Sequence, residues 1–242
     1  VREGDAVSTA RDAFAEIELG SATFVRIASD SAIRVDRLGE RIEIAIVRGA
    51  AYVSRGSEGP TVALFASGGN VLARSSALAR HDIGKSTSTT FEAKVASGTA
   101  EARCGDNTVS LATRETIRCA DGAMARDTWE PERGDAFDRA VAERDEKIRN
   151  RVAPPHVSGR YEGLHDLDGS GEWVTHETLW YWRPFVSASW RPYHHGVWSW
   201  REPFGWVWVP LEPWGFVTHH YGRWIWLPGY GWAWAPAPHF RG

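Results

Sequence analysis

Between Arg2 and about Arg118 apolar and polar residues alternate in short runs, as at Ala15, Ile17 and Leu19, at Ile33 and Val35, and at Ile42, Ile44 and Ile46. A period of two gives each run one apolar face and predicts β-strands, with Gly20, Gly39, Gly49 and Gly56 marking the turns between them. Similar runs near Phe24–Ile27, Val62–Phe65, Val71–Leu72, Phe91–Val95, Ala100–Cys104, Val109–Leu111 and Thr116–Cys119 continue the series. The polar stretch 74–89 between two of these runs predicts a loop. Residues 1–122 are therefore expected to form an antiparallel β-sandwich or jelly-roll-like domain.

The period changes after Gly134, where Phe137, Val141 and Ile148 share one helical stripe and charged residues cover the rest. Asp135 suits the helix start, and Pro154 and Pro155 lie beyond its end. Residues 123–157 thus read as one amphipathic helix and a linker, with the charges on a solvated face.

The last third, residues 158–242, is repetitive. Gly-Val-Trp-Ser-Trp at Gly196 returns as Gly-Arg-Trp-Ile-Trp at Gly222, and Gly-Trp-Val-Trp-Val-Pro at Gly205 returns as Gly-Trp-Ala-Trp-Ala-Pro at Gly231, both with a spacing of 26 residues. Trp180, Trp182 and Pro184 stand 26 residues before Trp206, Trp208 and Pro210, so a partial third copy precedes the other two. In a strand, the two rings of each Trp-x-Trp lie on one face, and the Pro- and Gly-rich connectors turn the chain back, so each copy is expected to be an aromatic β-hairpin. Neighbouring copies are expected to stack and complete one another's core. The predicted fold class is mostly β: sandwich, linker helix and Trp-rich hairpin repeats.

Composition narrows the possible roles. Hydrophobic residues at 43% and charged residues at 24% exclude a globally disordered chain. A net charge of -3 leaves no basic excess for a phosphate backbone, so no nucleic-acid partner is expected. No apolar run reaches the ~20 residues of a membrane span. Thirteen of the 14 Trp fall between Trp173 and Trp234. Indoles can form a core, since each buries roughly 150–250 Å², but the number exceeds what small hairpins need, so some are expected on the surface. Trp198, Trp200, Trp206, Trp208, Trp224, Trp226, Trp232 and Trp234 are the candidate protein interface or glycan platform. Arg183, Arg191, Arg201 and Arg223 interleave with them and could stack on the rings. Cys104 and Cys119 are the only cysteines; in an oxidising compartment they would bridge the ends of a hairpin and contribute ~3 kcal/mol, the alternative being two buried thiols. The start at Val1 rather than Met agrees with removal of an export leader.

Two patterns carry candidate metal chemistry. Asp166, Asp168, Ser170, Gly171 and Glu177 occupy positions 1, 3, 5, 6 and 12 of a calcium-loop pattern, although the flanking sequences do not read as helices. His194, His195, His219 and His220 form two pairs whose imidazoles could bind zinc or copper, with packing within the hairpins as the commoner role. No cofactor is expected, and no nucleophile-elbow, zinc-protease, phosphate-loop or dinucleotide motif occurs, so no catalytic residue is assigned.

Gly4, Asp5, Thr9, Ala15 to Ile17, Phe24 to Ile27, Ser31, Arg48, Gly49 and Tyr52 follow the pattern of FecR-like domains, which the N-terminal part resembles. Residues from Tyr161 through the repeats resemble the uncharacterised Trp-rich domain that often follows FecR-like domains in exported bacterial proteins. These resemblances imply an exported, non-enzymatic, all-β protein, periplasmic or extracellular. The expected role is structural: contacts with copies of itself or with another exported protein. The alternatives are a glycan-binding module using exposed Trp198, Trp200, Trp224 and Trp226, and a FecR-like periplasmic sensor component.

Overall fold

The computed structural model describes residues 1–236 apart from 21, 57, 68, 74–75, 83–89, 121–122, 131–132, 150–156 and 158–160, with 76–82 and 90 described by their backbone alone. The chain is mostly β and divides into two compact units, Val1–Arg149 and Asn150–Gly242.

The first unit runs through β1 (Ala6–Ser8), β2 (Ala15–Glu18), β3 (Phe24–Ile27), β4 (Ala32–Arg37), β5 (Arg41–Ser54), β6 (Thr61–Ala66), β7 (Gly69–Ala73), β8 (Ser76–Asp82), β9 (Thr90–Ser97), β10 (Thr99–Cys104), β11 (Asn107–Ala112), β12 (Glu115–Ala120), β13 (Ala123–Thr128) and helix α1 (Ala136–Arg149). One sheet has the order β11-β10-β7-β6-β5-β4-β1 and the other β2-β3-β5-β8-β9-β12-β13. The long strand β5 belongs to both. Its first half pairs with β4 and, in parallel, with β6, and its second half with β3 and β8. The change-over falls at Gly49, whose φ of 78° and whose approach to Ser31, only 2.1 Å from where a Cβ would stand, exclude a side chain. Ser31 Oγ accepts from the Ala50 amide, and Thr9 Oγ1 accepts from the Ser31 amide. Thr9, Ser31 and Gly49 thus form one bracket that turns β5 between sheets.

Apolar residues from both sheets, including Val25, Ile33, Ile44, Leu64, Phe91 and Ile117, meet in a single core, which makes the unit a sandwich. Cys104 ends β10 in one sheet and Cys119 lies in β12 of the other, at disulfide distance with Cα atoms 6.0 Å apart. They connect the two layers rather than the ends of one hairpin, because both face the shared core, each almost fully buried.

Two segments differ from the sequence reading. Residues 76–82, expected as loop, are strand β8, because β5 and β9 pair with its backbone on both sides and override a weak pattern; residues 83–89 lie outside the described residues. Strand β13 carries the sheet past residue 122 and α1 packs within the same unit, while the expected linker lies, except for Val157, outside the described residues.

Helix α1 buries Asp138, Val141 and Asp145, so two of the charges expected in solvent face the sheet. The reason is a cross-strand row on the outer face of the second sheet, where Glu16, Arg26, Tyr52 and Lys94 are aligned by the register of β2, β3, β5, β8 and β9. Arg26 donates to Asp145 at 2.5 Å, Tyr52 donates to the other oxygen of Asp145, and Lys94 lies 3.2 Å from Asp138. Arg144 reaches back to Glu16 at 3.0 Å, and Phe137 and Val141 pack beside Tyr52.

The second unit contains a 3-10 turn (Leu164–Leu167), β14 (Gly171–His176), β15 (Leu179–Pro184), β16 (Gly196–Arg201), β17 (Gly205–Pro210), α2 (Gly215–His220), β18 (Arg223–Leu227) and β19 (Gly231–Ala235). The copies do not stack in chain order. The first and third join through β15 and β19, giving the sheet β14-β15-β19-β18, and the middle copy is a separate two-stranded sheet, β16-β17.

Candidate functional site

The repeat unit is a glycine facing a tryptophan across each hairpin. A Cβ on Gly171, Gly196 or Gly222 would stand within 2.5, 2.5 and 2.7 Å of the rings of Trp182, Trp208 and Trp234, the second Trp of each Trp-x-Trp. Only glycine lets those indoles lie flat across the neighbouring strand, and all three are buried, at 1%, 7% and 0% exposure.

In the four-stranded sheet, Trp173, Trp180, Trp182, Trp224, Trp226, Trp232 and Trp234 share one face. Val174, Tyr181, Ile225, Leu227, Ala233 and Ala235 form a second cluster on the other. The indole face is covered by the 3-10 turn, α2, Trp190 and Trp214. Trp214 meets Trp182 at 5.0 Å between ring centroids and Trp190 at 5.5 Å, and Trp190 meets Trp224 at 5.0 Å. Trp190 and Trp214 have no tryptophan counterparts at the 26-residue spacing, so the Trp-x-Trp repeat could not assign them to the core. Trp190 Nε1 donates to Glu212 at 2.7 Å, and Trp234 Nε1 to the Tyr221 carbonyl at 2.7 Å.

The middle hairpin differs. Trp198 pairs with Trp208 and Trp200 with Trp206 on one face, with ring centroids 5.4 and 5.8 Å apart and edges against faces. Trp198, Trp200 and Trp206 remain 58%, 56% and 64% exposed, and Phe204 and Leu211 are exposed beside them. Trp198 and Trp200 therefore lie on a different sheet from Trp224 and Trp226, and Trp224 is packed between Trp190 and Trp214. The four do not form a single platform. Of the interleaved arginines, Arg183 pairs with Glu172 at 2.8 Å, and no cation-to-ring stack involves the repeats among the described residues.

Trp226, by contrast, is 62% exposed and its ring stands nearly perpendicular to that of Trp232, with centroids 5.7 Å apart. Together with Arg183, Trp190, Tyr230 and Gly231 they line a groove of about 460 Å³. Sequence reasoning missed Tyr230 because it sits in the connector, not in a Trp-x-Trp.

The metal candidates do not converge. Asp166 lies within the 3-10 turn, Asp168 caps its end and Ser170 follows, but β14 then runs extended to Glu177, which has φ 53° in the hairpin turn at its far end. At ~3.3 Å per residue that strand separates Glu177 from the aspartates by roughly 20 Å. The rings of His194 and His195 lie 5.2 Å apart, whereas His219 and His220 turn Nδ1 toward Gly215 and Phe216 carbonyls of their own helix at 2.8 and 2.7 Å. Among the described residues no three His, Cys, Asp or Glu gather to hold a metal.

His219 is instead a packed neutral ring. Nδ1–H donates to Gly215, which leaves Nε2 to accept the Tyr193 amide at 3.5 Å, and the ring meets Tyr193 and Trp224 at 4.8 and 5.7 Å. Burial holds its pKa below the ordinary 6.5, partly offset by the Gly215 bond. Because the folded value is lowered, the neutral ring's contribution is complete above pH 6.5 and is lost as pH falls through the folded value. Thermal melts should therefore show the C-terminal unit weakening on acidification below that point, with a smaller loss in His219→Phe; an unchanged acid dependence in that variant would refute this assignment.

In the N-terminal unit, a hollow of about 640 Å³ beside the start of α1 is lined by Lys94, Arg118, Trp129, Arg133, Asp135 and Asp138, among others. Lys94 pairs with Asp138 and Glu92, Arg118 with Glu92 and Arg133 with Glu130, so the cations there are matched by carboxylates, of which Asp138 belongs to α1. No described helix is long and apolar enough to cross a membrane.

Residues 164–242 match DUF6600, a family of unknown function. No curated protein matches the chain. Two crystal structures from Parabacteroides distasonis, each provisionally described as an anti-sigma factor, are similar in part. The one at 2.50 Å resolution is 13% identical with a TM-score of 0.45 over 53% of this chain and 61% of its own, so this chain spans less than two thirds of it. The one at 1.65 Å is 12% identical with a TM-score of 0.47 over 75% of this chain and 100% of its own.

Proposed function

We propose that this chain is an exported, non-enzymatic protein that makes protein–protein contacts through the β16–β17 hairpin, and that its partner is a second copy of itself. The observation that carries this reading is the hairpin's exposed aromatic face, where Trp198, Trp200 and Trp206 lie together. Tryptophans in this setting are the residues that anchor interfaces. The backbone supports the same conclusion. Among the described residues β16 pairs with β17 alone, so its outer edge offers unmatched amide and carbonyl groups to another strand. Two β16 edges meeting antiparallel about a two-fold axis would give a four-stranded sheet with a continuous indole face. The cysteine pair at disulfide distance suits an oxidising compartment.

The test is light scattering coupled to gel filtration across a dilution series. Wild type is expected to dimerise reversibly, and Trp198→Ser with Trp200→Ser to weaken dimerisation by about 30-fold or more. The rings are solvent-exposed, so the double variant should retain the wild-type far-ultraviolet circular dichroism. A wild type that stays monomeric throughout the series would defeat the reading.

A further inference from the structure

The hollow beside the start of α1 contains two buried polar atoms that the fold leaves unmet. It lies on the outer face of the second sheet, where Lys94, Thr116 and Asp127 stand in one row across β9, β12 and β13 and Glu92 and Arg118 in the next. Trp129 and Asp138 are the most buried of its lining residues, at 7% and 1% exposure. Asp138 Oδ2 accepts from Lys94 at 3.2 Å and from the Asp135 amide at 3.3 Å, while Oδ1 has no partner among the described residues. The Lys94 ammonium lies 5.3 Å from the centre of the Trp129 ring, whose Nε1–H has no acceptor among them either. Lys94 thus neighbours both side chains. A buried acceptor and a buried donor left unmet in one hollow are costly to the fold, and they point to a ligand that meets both.

Size and charge narrow the ligand. The volume of about 640 Å³ falls within the roughly 300–1,000 Å³ of small-molecule sites. Carboxylates outnumber cations in the lining by five to three, so the complementary charge is positive. Among the described residues those carboxylates do not gather round a metal, which leaves an organic cation. Asp138 Oδ1 calls for an N–H donor and Trp129 Nε1–H for an oxygen acceptor, so an ammonium beside a carbonyl satisfies both. A free amino acid carries both groups, but its carboxylate would meet a lining that is already negative in excess. The first residue of a peptide carries them without that charge. We propose that this hollow captures the N-terminal residue of a peptide, its α-ammonium donating to Asp138 and its first carbonyl accepting from Trp129. The site lies in the N-terminal unit, goes beyond the self-association proposed above and does not depend on it.

The experiment titrates the full chain, labelled with nitrogen-15, with trialanine amide and follows the indole Nε1–H resonances. Trp129 is the one Trp outside residues 173–234, and its resonance is the one lost in Trp129→Phe. The expected result is a saturable shift of that resonance, with binding weakened about tenfold or more when the peptide is N-acetylated. Trp129→Phe keeps a ring beside Lys94 and removes the unmet donor, so it should be as stable as wild type and bind about fivefold more weakly by calorimetry. Asp138→Asn should bind about tenfold more weakly or worse; if that variant does not fold, the acetylated peptide tests the same contact. The Trp198→Ser, Trp200→Ser double variant should bind as wild type does, so either proposal can fail without the other. The capture site is overturned by an unmoved Trp129 resonance, by equal binding of the acetylated peptide, by wild-type affinity in Trp129→Phe, or by free alanine binding as tightly as the peptide amide.

Discussion

Replacing Arg26 by methionine lowers the unfolding free energy of the N-terminal unit by about 3–5 kcal/mol. Arg26 is fully buried beneath α1, with Nε 2.6 Å from Glu16, one terminal nitrogen 2.5 Å from Asp145, and its guanidinium 5.5 and 5.8 Å from the Phe24 and Tyr52 rings. Methionine fills much of the same space but strands the buried Asp145 carboxylate with the Tyr52 hydroxyl as its remaining described donor. The cost is therefore that of an uncompensated buried charge rather than of one lost contact. Glu16 suffers less because Arg144 still reaches it. Denaturant unfolding followed by circular dichroism measures the loss, and hydrogen exchange should show α1 amides exchanging faster. Arg26→Met combined with Asp145→Leu should regain most of the stability, because removing both charges removes the desolvation penalty as well. A single variant within about 1 kcal/mol of wild type would show that the pair does not hold the helix.

That network also marks the limit of sequence reading in this unit. Ile42, Ile44 and Ile46 announce a strand because one face is buried and one is not. Strand β3 is covered on both sides, by the sandwich core and by α1, so all four residues Phe24 to Ile27 are buried and alternation no longer separates inside from outside. Arg26 then reads as a surface residue, as do Asp138 and Asp145, since the partner of each lies on another element far away in sequence. Strand β8 was hidden for a related reason. Its formation depends on two neighbours pairing with its backbone, and backbone pairing leaves no mark on side-chain pattern.

In the C-terminal unit the period of 26 residues located the hairpins and their Trp-x-Trp pairs, and the number of Trp implied that some indoles are exposed. The period could not reveal which copies pair, because the copies are alike and the choice is made by Trp190, Trp214 and α2, which lie outside the Trp-x-Trp pairs. Nor could it predict the fate of the calcium-like pattern. Residue spacing describes a loop only if the backbone curls, and β14 runs straight through the middle of this one.

The same asymmetry yields the sharpest stability contrast in the molecule. Trp234 takes the second and Trp206 the first Trp position of their copies, the one buried and the other 64% exposed, and Trp234→Ala should cost about 3–5 kcal/mol against no more than about 1 kcal/mol for Trp206→Ala. Trp234 is fully buried where the first and third copies join, opposite Trp182, with Tyr161 and Trp173 against it at 5.8 and 6.2 Å. Truncating it opens a cavity at the junction, exposes the ring contacts around it and leaves the Tyr221 carbonyl without its indole donor. Trp206 loses only an edge-to-face contact with Trp200 on a hairpin already open to solvent. Unfolding of the full chain followed by near-ultraviolet circular dichroism distinguishes the two. Equal losses at Trp206 and Trp234 would refute the assignment of Trp234 to a buried junction and of Trp206 to a free aromatic face, on which the dimer surface depends.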